Sequence, residues 1–90
     1  MSSPRSVIHY EEITVGATAV GFTTLHSPVV RVIPDNANCR MRRDGTAPTA
    51  SVGIELIDGT ESVLDASLEN AQFIRTTGTD CLLRCEWLSH

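Results

Sequence analysis

The sequence contains no lysine. Its seven basic residues are all arginines, set against eleven aspartates and glutamates, and its net charge is −4. The chain has no basic block of the kind that follows a phosphate backbone, so we expect no nucleic-acid partner. Arg40, Arg42 and Arg43 form the one cationic cluster. Arginine suits fixed, bidentate contacts to carboxylates better than diffuse attraction.

Aromatic residues are also scarce. Tyr10, Phe22, Phe73 and Trp87 are the only four in 90 residues. The core must therefore be built mainly from Val, Ile, Leu, Ala and Cys, and the β-branched residues among these favour strands.

Long apolar runs are missing as well. No run approaches the roughly 20 residues that a membrane span requires, so we expect no membrane partner. Residues 1–5 lack the apolar segment of a secretory signal, which predicts maturation in a cytoplasm.

The length fits one domain. We expect a flexible N-terminal arm over residues 1–6 and a single domain over residues 7–90.

The three cysteines are an odd number and do not form a complete disulfide framework. Cys81 and Cys85 lie four residues apart on an expected strand, about 13 Å from each other at ~3.3 Å per residue, which is too far for a disulfide. Cys39 could pair with either if its strand were adjacent. We expect three reduced core cysteines, because disulfides are rare in cytosolic assemblies.

Alternating apolar and polar residues predict a series of short strands. The expected strands cover residues 7–15, 17–25, 29–33, 39–42, 52–56, 62–65, 72–76 and 81–89. In the last of them Cys81, Leu83, Cys85 and Trp87 share one face, which we predict is the core face.

Turn signals separate these strands. Asp44-Gly45 indicates a turn in which Asp bonds nearby backbone and Gly takes positive φ, and residues 46–51 follow as an ordered extended loop. Residues 34–36 should close the third strand. Asp58-Gly59 predicts a tight hairpin with a two-residue type I′ turn. Residues 68–71 predict one helical turn, capped by Asp65 or Ser67.

Seven or eight short strands with turns every eight to twelve residues predict an all-β fold, either a small antiparallel β-sandwich of jelly-roll-like form or a barrel. The sandwich is the interpretation we favour. Its edge strands would need protection from pairing with other chains.

One run carries a resemblance to a known family. The segment DGTAPTASVGIEL at residues 44–56 is followed by an acidic hairpin, a Phe-Ile-Arg strand, a Gly-Thr turn and an alternating strand. In this it resembles small all-β structural proteins of tailed bacteriophages, such as head decoration (cement) proteins. The resemblance covers residues 29–87 and implies a fold and a virion setting, without an active site.

Possible chemical sites find little support in the sequence. His9, His26 and His90 show no metal-ligand spacing, and we interpret each as a surface or turn residue. Cys81 and Cys85 have a spacing that zinc sites use in loops and helices, but on a strand they diverge. Carboxylates such as those of Glu11 and Glu12 are expected on a solvated face. No nucleophile motif accompanies the serines. We therefore expect no enzyme, no cofactor and no metal.

The function that the resemblance implies is a capsid decoration or cement subunit that binds the outside of the assembled phage head. Its partners would be the major capsid protein or other virion subunits, and we expect it to form homo-oligomers. The alternatives are a tail or head-fibre module, or a carbohydrate-binding β-sandwich, although such a module usually presents exposed aromatic rings. The residues expected to make protein contacts are Arg40, Arg42, Arg43, Thr46, Pro48, Leu82 and Leu88. The two leucines enter because they lie on the otherwise polar face of the last strand.

Overall fold

A computed structural model describes residues 5–89, which contain eight β-strands and one short 3-10 helix. The strands are β1 (Val7–Val15), β2 (Val20–Gly21), β3 (Val30–Asp35), β4 (Cys39–Arg42), β5 (Ile54–Leu56), β6 (Ser62–Leu64), β7 (Gln72–Arg75) and β8 (Cys81–Leu88). The 3-10 helix spans Leu68–Asn70 and precedes β7. Within the described residues, no helix is long and apolar enough to cross a membrane.

The strands form two four-stranded antiparallel sheets. Sheet 1 has the order β1-β8-β3-β6 and sheet 2 has the order β2-β7-β4-β5. The first strand of the chain thus pairs with the eighth, the second with the seventh, the third with the sixth and the fourth with the fifth. This nested order is that of a jelly-roll sandwich. The all-β sandwich is confirmed, and across residues 5–89 the sheets do not close into the alternative barrel.

The core lies between the two sheets. Cys81, Leu83, Cys85 and Trp87 of β8 are fully buried, which confirms the predicted face of that strand. Sheet 2 contributes Cys39, Met41, Leu56 and Phe73 from the opposite side. The ring of Phe22 joins the two layers, because it packs edge-to-face with Phe73 and with Trp87, at centroid distances of 5.4 and 4.9 Å.

The predicted hairpin at Asp58-Gly59 is wrong. The turn itself exists, since the Thr60 amide donates to the Ile57 carbonyl at 2.9 Å and Gly59 has a φ of +81°. However, β5 pairs with β4 in sheet 2 whereas β6 pairs with β3 in sheet 1. A type I′ hairpin turn requires positive φ at both central residues, and here only Gly59 has it. The turn therefore carries the chain from one sheet to the other.

The second and third strands differ most from their predicted bounds. The second strand, expected over residues 17–25, is only Val20–Gly21. A Cβ added at Gly21 would lie 2.7 Å from the Ala71 carbonyl oxygen, so the two backbones approach closely there. The third extends through Pro34, which was expected to end it. β6 pairs only as far as Val32, and the Pro34 carbonyl accepts instead from the Gly59 amide at 2.8 Å. The proline is tolerated because no strand partner requires its missing N–H at that point.

The start of the chain and the predicted helical turn each differ in detail from their predictions. Ser6, at the end of the expected arm, bonds to Ser89 through its amide and its carbonyl, and so extends the pairing of β1 with β8. The first four residues of the arm lie outside the described residues. The predicted helical turn is present as the 3-10 helix, but the side chain of Ser67 makes no capping hydrogen bond.

Candidate functional site

The first predicted contact residue, Arg40, is already engaged within the chain. It lies on the outer face of sheet 2, and its guanidinium donates to the carbonyls of Ala50 and Gly53 at 2.9 and 3.0 Å. A further ion pair joins it to Glu55 at 4.0 Å. Arg40 therefore fastens the loop of residues 46–51 to β4, a role that the sequence did not reveal.

Arg42 and Arg43 also have intramolecular partners. Arg42 forms a two-pronged hydrogen-bonded ion pair with Asp44, whose carboxylate also accepts the Thr46 amide at 3.2 Å. The Arg42 guanidinium, followed by that amide, lowers the pKa of Asp44 below its ordinary value. Arg43 donates to the Ala66 carbonyl at 3.2 Å. All three arginines thus hold the chain's own loops, and each keeps part of its side chain at the surface.

The loop that follows is ordered, as predicted. Gly45 takes a φ of +88°, which confirms the positive φ expected at this turn. Thr46 is exposed and Pro48 is buried, and their roles as contact residues stay predictions. Thr49 and Val52 exchange backbone hydrogen bonds of 3.0 and 3.3 Å, which give the loop a tight tip.

A shallow depression of about 490 Å³ lies beside Arg42 and Arg43. Its exposed apolar parts are Val52 and Ile54, which are 51% and 57% exposed. We call the combination of Thr46, Val52, Ile54 and the three arginines the loop surface. It combines cationic and aliphatic groups on a backbone that is held in place by hydrogen bonds.

The two predicted contact leucines differ from expectation. Leu88 is only 5% exposed, so the expected exposure of its side chain is wrong, and its role as a contact residue stays a prediction. β8 is flanked by β1 and β3, and the Leu88 amide donates to the Val29 carbonyl, so its end is covered. Leu82 is half-buried on the outer face of sheet 1, between Thr14 and Asp35 of the neighbouring strands.

Exposed aliphatic and aromatic residues gather on the edges of the sheets. The edge strands are β1 and β6 in sheet 1 and β2 and β5 in sheet 2. The exposed large apolar residues on these strands or directly beside β5 are Val7, Ile8, Tyr10, Val52, Ile54, Ile57 and Val63. Leu25, in the loop between β2 and β3, is exposed as well. The sequence pattern could not mark these positions as edges, because strand order was unknown.

The outer face of sheet 1 is charged and internally paired. Arg84 bonds to Glu12 of β1 at 2.7 Å and to Asp35 of β3 at 2.9 Å. Arg31 pairs with Glu86 on β8 and lies 3.4 Å from Glu61. These cross-strand pairs balance their own charges, so this face offers fewer free charges than its composition implies.

The histidines are the main point that the sequence reading missed. His9 and His26, expected to be unrelated surface or turn residues, are stacked with ring centroids 3.8 Å apart. Glu11 lies beside both. His9 and Glu11 are two residues apart on a strand, which places them on one face. This spacing was the only feature of the sequence that indicated that the two side chains lie together. His90 lies outside the described residues.

The cysteines are free thiols inside the core. The Cys81 thiol of sheet 1, together with burial, raises the pKa of Cys39 in sheet 2. Burial, with a smaller effect from the charge of Glu11, raises the pKa of Cys85 to about 12. The neighbouring Cys39 thiol lowers the pKa of Cys81, which is fully buried as well. Because a neutral thiol is a poor nucleophile and a poor metal ligand, we interpret Cys39 and Cys85 as core packing.

The aromatic rings do not form an exposed platform. Trp87 and Phe73 are fully buried, and Tyr10 is the one aromatic residue with large exposure, at 47%. The Tyr10 hydroxyl donates to Glu12 at 2.6 Å. A sugar-stacking surface of several rings is therefore not present among residues 5–89.

Comparison with known proteins gives no further guide: no family model, no curated protein and no solved structure matches this chain.

Proposed function

We propose that the protein is a structural subunit of a tailed-bacteriophage virion, made in the bacterial host cytoplasm, that attaches to the outside of the assembled head and stabilises it. It acts without catalysis, and its partners are the major capsid protein, other virion subunits and copies of itself rather than nucleic acid or membrane. The observation that carries this proposal is the concentration of exposed apolar side chains on the edge strands.

Edge strands of a sheet present unpaired backbone groups, and soluble monomers usually guard them with charge, proline or bulges. Here β1 exposes Val7, Ile8 and Tyr10, and β5 exposes Ile54. Exposed apolar side chains on free sheet edges are typical of protein contact sites. Neighbouring subunits in a particle would cover both the apolar side chains and the free edges.

The loop surface supplies a second kind of contact. Its backbone is fixed by Arg40 and by the Thr49–Val52 hydrogen bonds, so docking would cost little ordering entropy. Small residues such as Ala47 and Ala50 allow close approach of a partner backbone. The exposed parts of the three arginines can meet capsid carboxylates.

A chain of this size can offer each neighbour only part of a standard interface, which is ~800 Å² per partner. Several weak contacts per copy, made with capsid subunits and with sister copies, would raise the overall affinity through effective concentration. The jelly-roll architecture is compatible with this role, since it recurs in viral capsid domains as well as in lectins and cupins.

The test compares phage particles produced with and without the gene. We expect mass spectrometry to find the protein on purified virions, co-sedimenting with heads, and particles lacking it to lose their DNA at lower temperature or during chelator treatment. Purified protein added back should restore the resistance. Equal robustness of both particles, with no protein on heads, would refute the cement role, and recovery on tails would support the fibre alternative.

Variants locate the contact. Ile8→Lys on β1 and Ile54→Lys on β5 should each weaken binding to heads, because a charge would be buried at the interface. Thr79→Lys is the matched control, since Thr79 lies in the exposed turn between β7 and β8, at the end of β1 opposite to Ile8. Equal binding of all three variants would show that the edges are not the contact.

A further inference from the structure

The inner face of β1 changes character along the strand. Its inward residues face Cys81, Leu83, Cys85 and Trp87 of β8, and in order from the core outwards they are Val15, Ile13, Glu11 and His9. Val15 is fully buried, Ile13 and Glu11 are half-buried and His9 is exposed. A carboxylate and an imidazole thus replace apolar residues where the sandwich opens to solvent. Packing alone does not require polar groups on this face.

A third polar side chain meets these two from another element. His26, in the loop between β2 and β3, stacks on His9 with an angle of 25° between the rings. Its Nε2 lies 3.6 Å from Oε2 of Glu11, and the Nε2 of His9 lies 3.8 Å from the same oxygen. One ligand atom from each of the three residues lies within 4.8 Å of the others.

We propose that His9, Glu11 and His26 form a binding site for a divalent transition-metal ion, of which Zn²⁺ is the expected occupant. Two imidazole nitrogens and one carboxylate oxygen are the donors that zinc and similar ions take in proteins. The imidazoles disfavour Ca²⁺ and Mg²⁺, which prefer oxygen ligands. Three protein ligands leave a fourth position for water or for a side chain of another molecule.

Binding the ion requires the His9 and His26 rings to rotate out of their stack, because each ring nitrogen binds a metal in the plane of its own ring. Ligand atoms in a tetrahedral zinc site lie about 3.3 Å apart, given metal–ligand distances of ~2.0 Å. The three ligand atoms lie within 4.8 Å of one another, so they need to approach by up to about 1.5 Å. Side-chain rotation supplies this movement, because His9 and His26 are 43% and 29% exposed. His26 also borders an open groove of about 400 Å³, so an ion can reach it from solvent.

Trp87 contacts two of the three proposed ligands, Glu11 and His26, and helps to orient them. Its indole Nε1 donates to Oε2 of Glu11 at 3.3 Å, and its ring packs edge-on against His26 with centroids 5.4 Å apart. Hydrogen bonds of this kind orient metal-binding groups, and their loss commonly weakens binding 10–100-fold. The bound ion would tie the edge strand β1 to the loop between β2 and β3 at the open end of the sandwich.

The experiment is calorimetric titration of ZnCl₂ into the full chain, made without a histidine tag and stripped of metal by chelation. We expect one Zn²⁺ per chain. The melting temperature should rise with zinc, by on the order of 10 °C when free zinc is about a hundredfold above Kd. His9→Ala, His26→Ala and Glu11→Gln should each weaken binding at least tenfold. Glu12→Gln, on the opposite face of β1, should bind as the wild type does.

Two controls keep the result decisive. The variants are melted without metal to confirm folding, and His26→Asn replaces His26→Ala if the latter does not fold. Co²⁺ substitution then reports the ligands, because a nitrogen and oxygen site lacks the strong sulfur charge-transfer band that thiolates produce. No zinc binding by the wild type, unchanged binding in the histidine variants, or a sulfur band from the core cysteines would each overturn the proposal.

Discussion

Replacing Arg40 should loosen the loop surface and lower the stability of the fold. The Arg40 guanidinium bonds to two loop carbonyls, and its side chain is 24% exposed. Hydrogen bonds from a charged donor contribute ~1.5–3 kcal/mol when well buried, and partial exposure reduces this. We therefore expect Arg40→Met, which keeps most of the apolar stem, to cost about 1–2 kcal/mol.

Two companion variants separate the hydrogen bonds from the charge. Lysine retains the charge but cannot span both carbonyls with a planar fork, so Arg40→Lys should lose about half as much. Arg43→Met removes one 3.2 Å bond at the surface and should cost less than about 0.5 kcal/mol.

Urea unfolding followed by Trp87 fluorescence measures the difference in free energy of unfolding. Amide hydrogen exchange at Val52, whose N–H bonds to Thr49, reports the loop itself. The reasoning would be refuted if Arg40→Met unfolded like the wild type, or if Arg43→Met were equally damaging. Either result would mean that the loop keeps its shape without Arg40.

Two further predictions concern the turn and the thiols. Gly45→Val should cost on the order of 1–3 kcal/mol because a β-branched residue resists a φ of +88°, whereas Gly78→Val, at a turn glycine without positive φ and with open space around it, should be nearly neutral in thermal unfolding. Equal melting of these two variants would contradict the assigned strain. A thiol reagent at pH 8 should leave the native protein unmodified, because all three thiols are buried, and should find three thiols after unfolding without reductant. Finding only one would reveal a disulfide at Cys39.

Much of the fold follows from local patterns. The alternation of β8 identified its buried face, and Asp44-Gly45 identified a turn with positive φ, because both depend on residues close in sequence. Asp58-Gly59 shows the limit of such reasoning. The dipeptide correctly predicts a turn, but the strands on either side pair with different partners, and that choice depends on the whole sandwich.

The candidate sites depend even more on distant residues. His9 and His26 are separated by a strand and a loop, and only the pairing of β1 with β8 turns His9 and Glu11 inwards toward Trp87. The arginine cluster was visible in the sequence, but its partners are backbone carbonyls, which carry no sequence signal. Composition therefore located the groups without showing what they touch.

The nested strand order also constrains how the chain acquires its shape during synthesis. Among the described strands only β4 and β5 are consecutive in sequence and paired, with residues 43–53 between them, whereas β1 must wait for β8 and β2 must wait for β7. Such distant pairings make folding slow, because long loops must close before their contacts form. Neither sheet can be completed on the ribosome until nearly the whole domain has emerged. Until then the apolar face of β1 has no partner within the chain, so a prematurely truncated product would expose it and would be prone to aggregate.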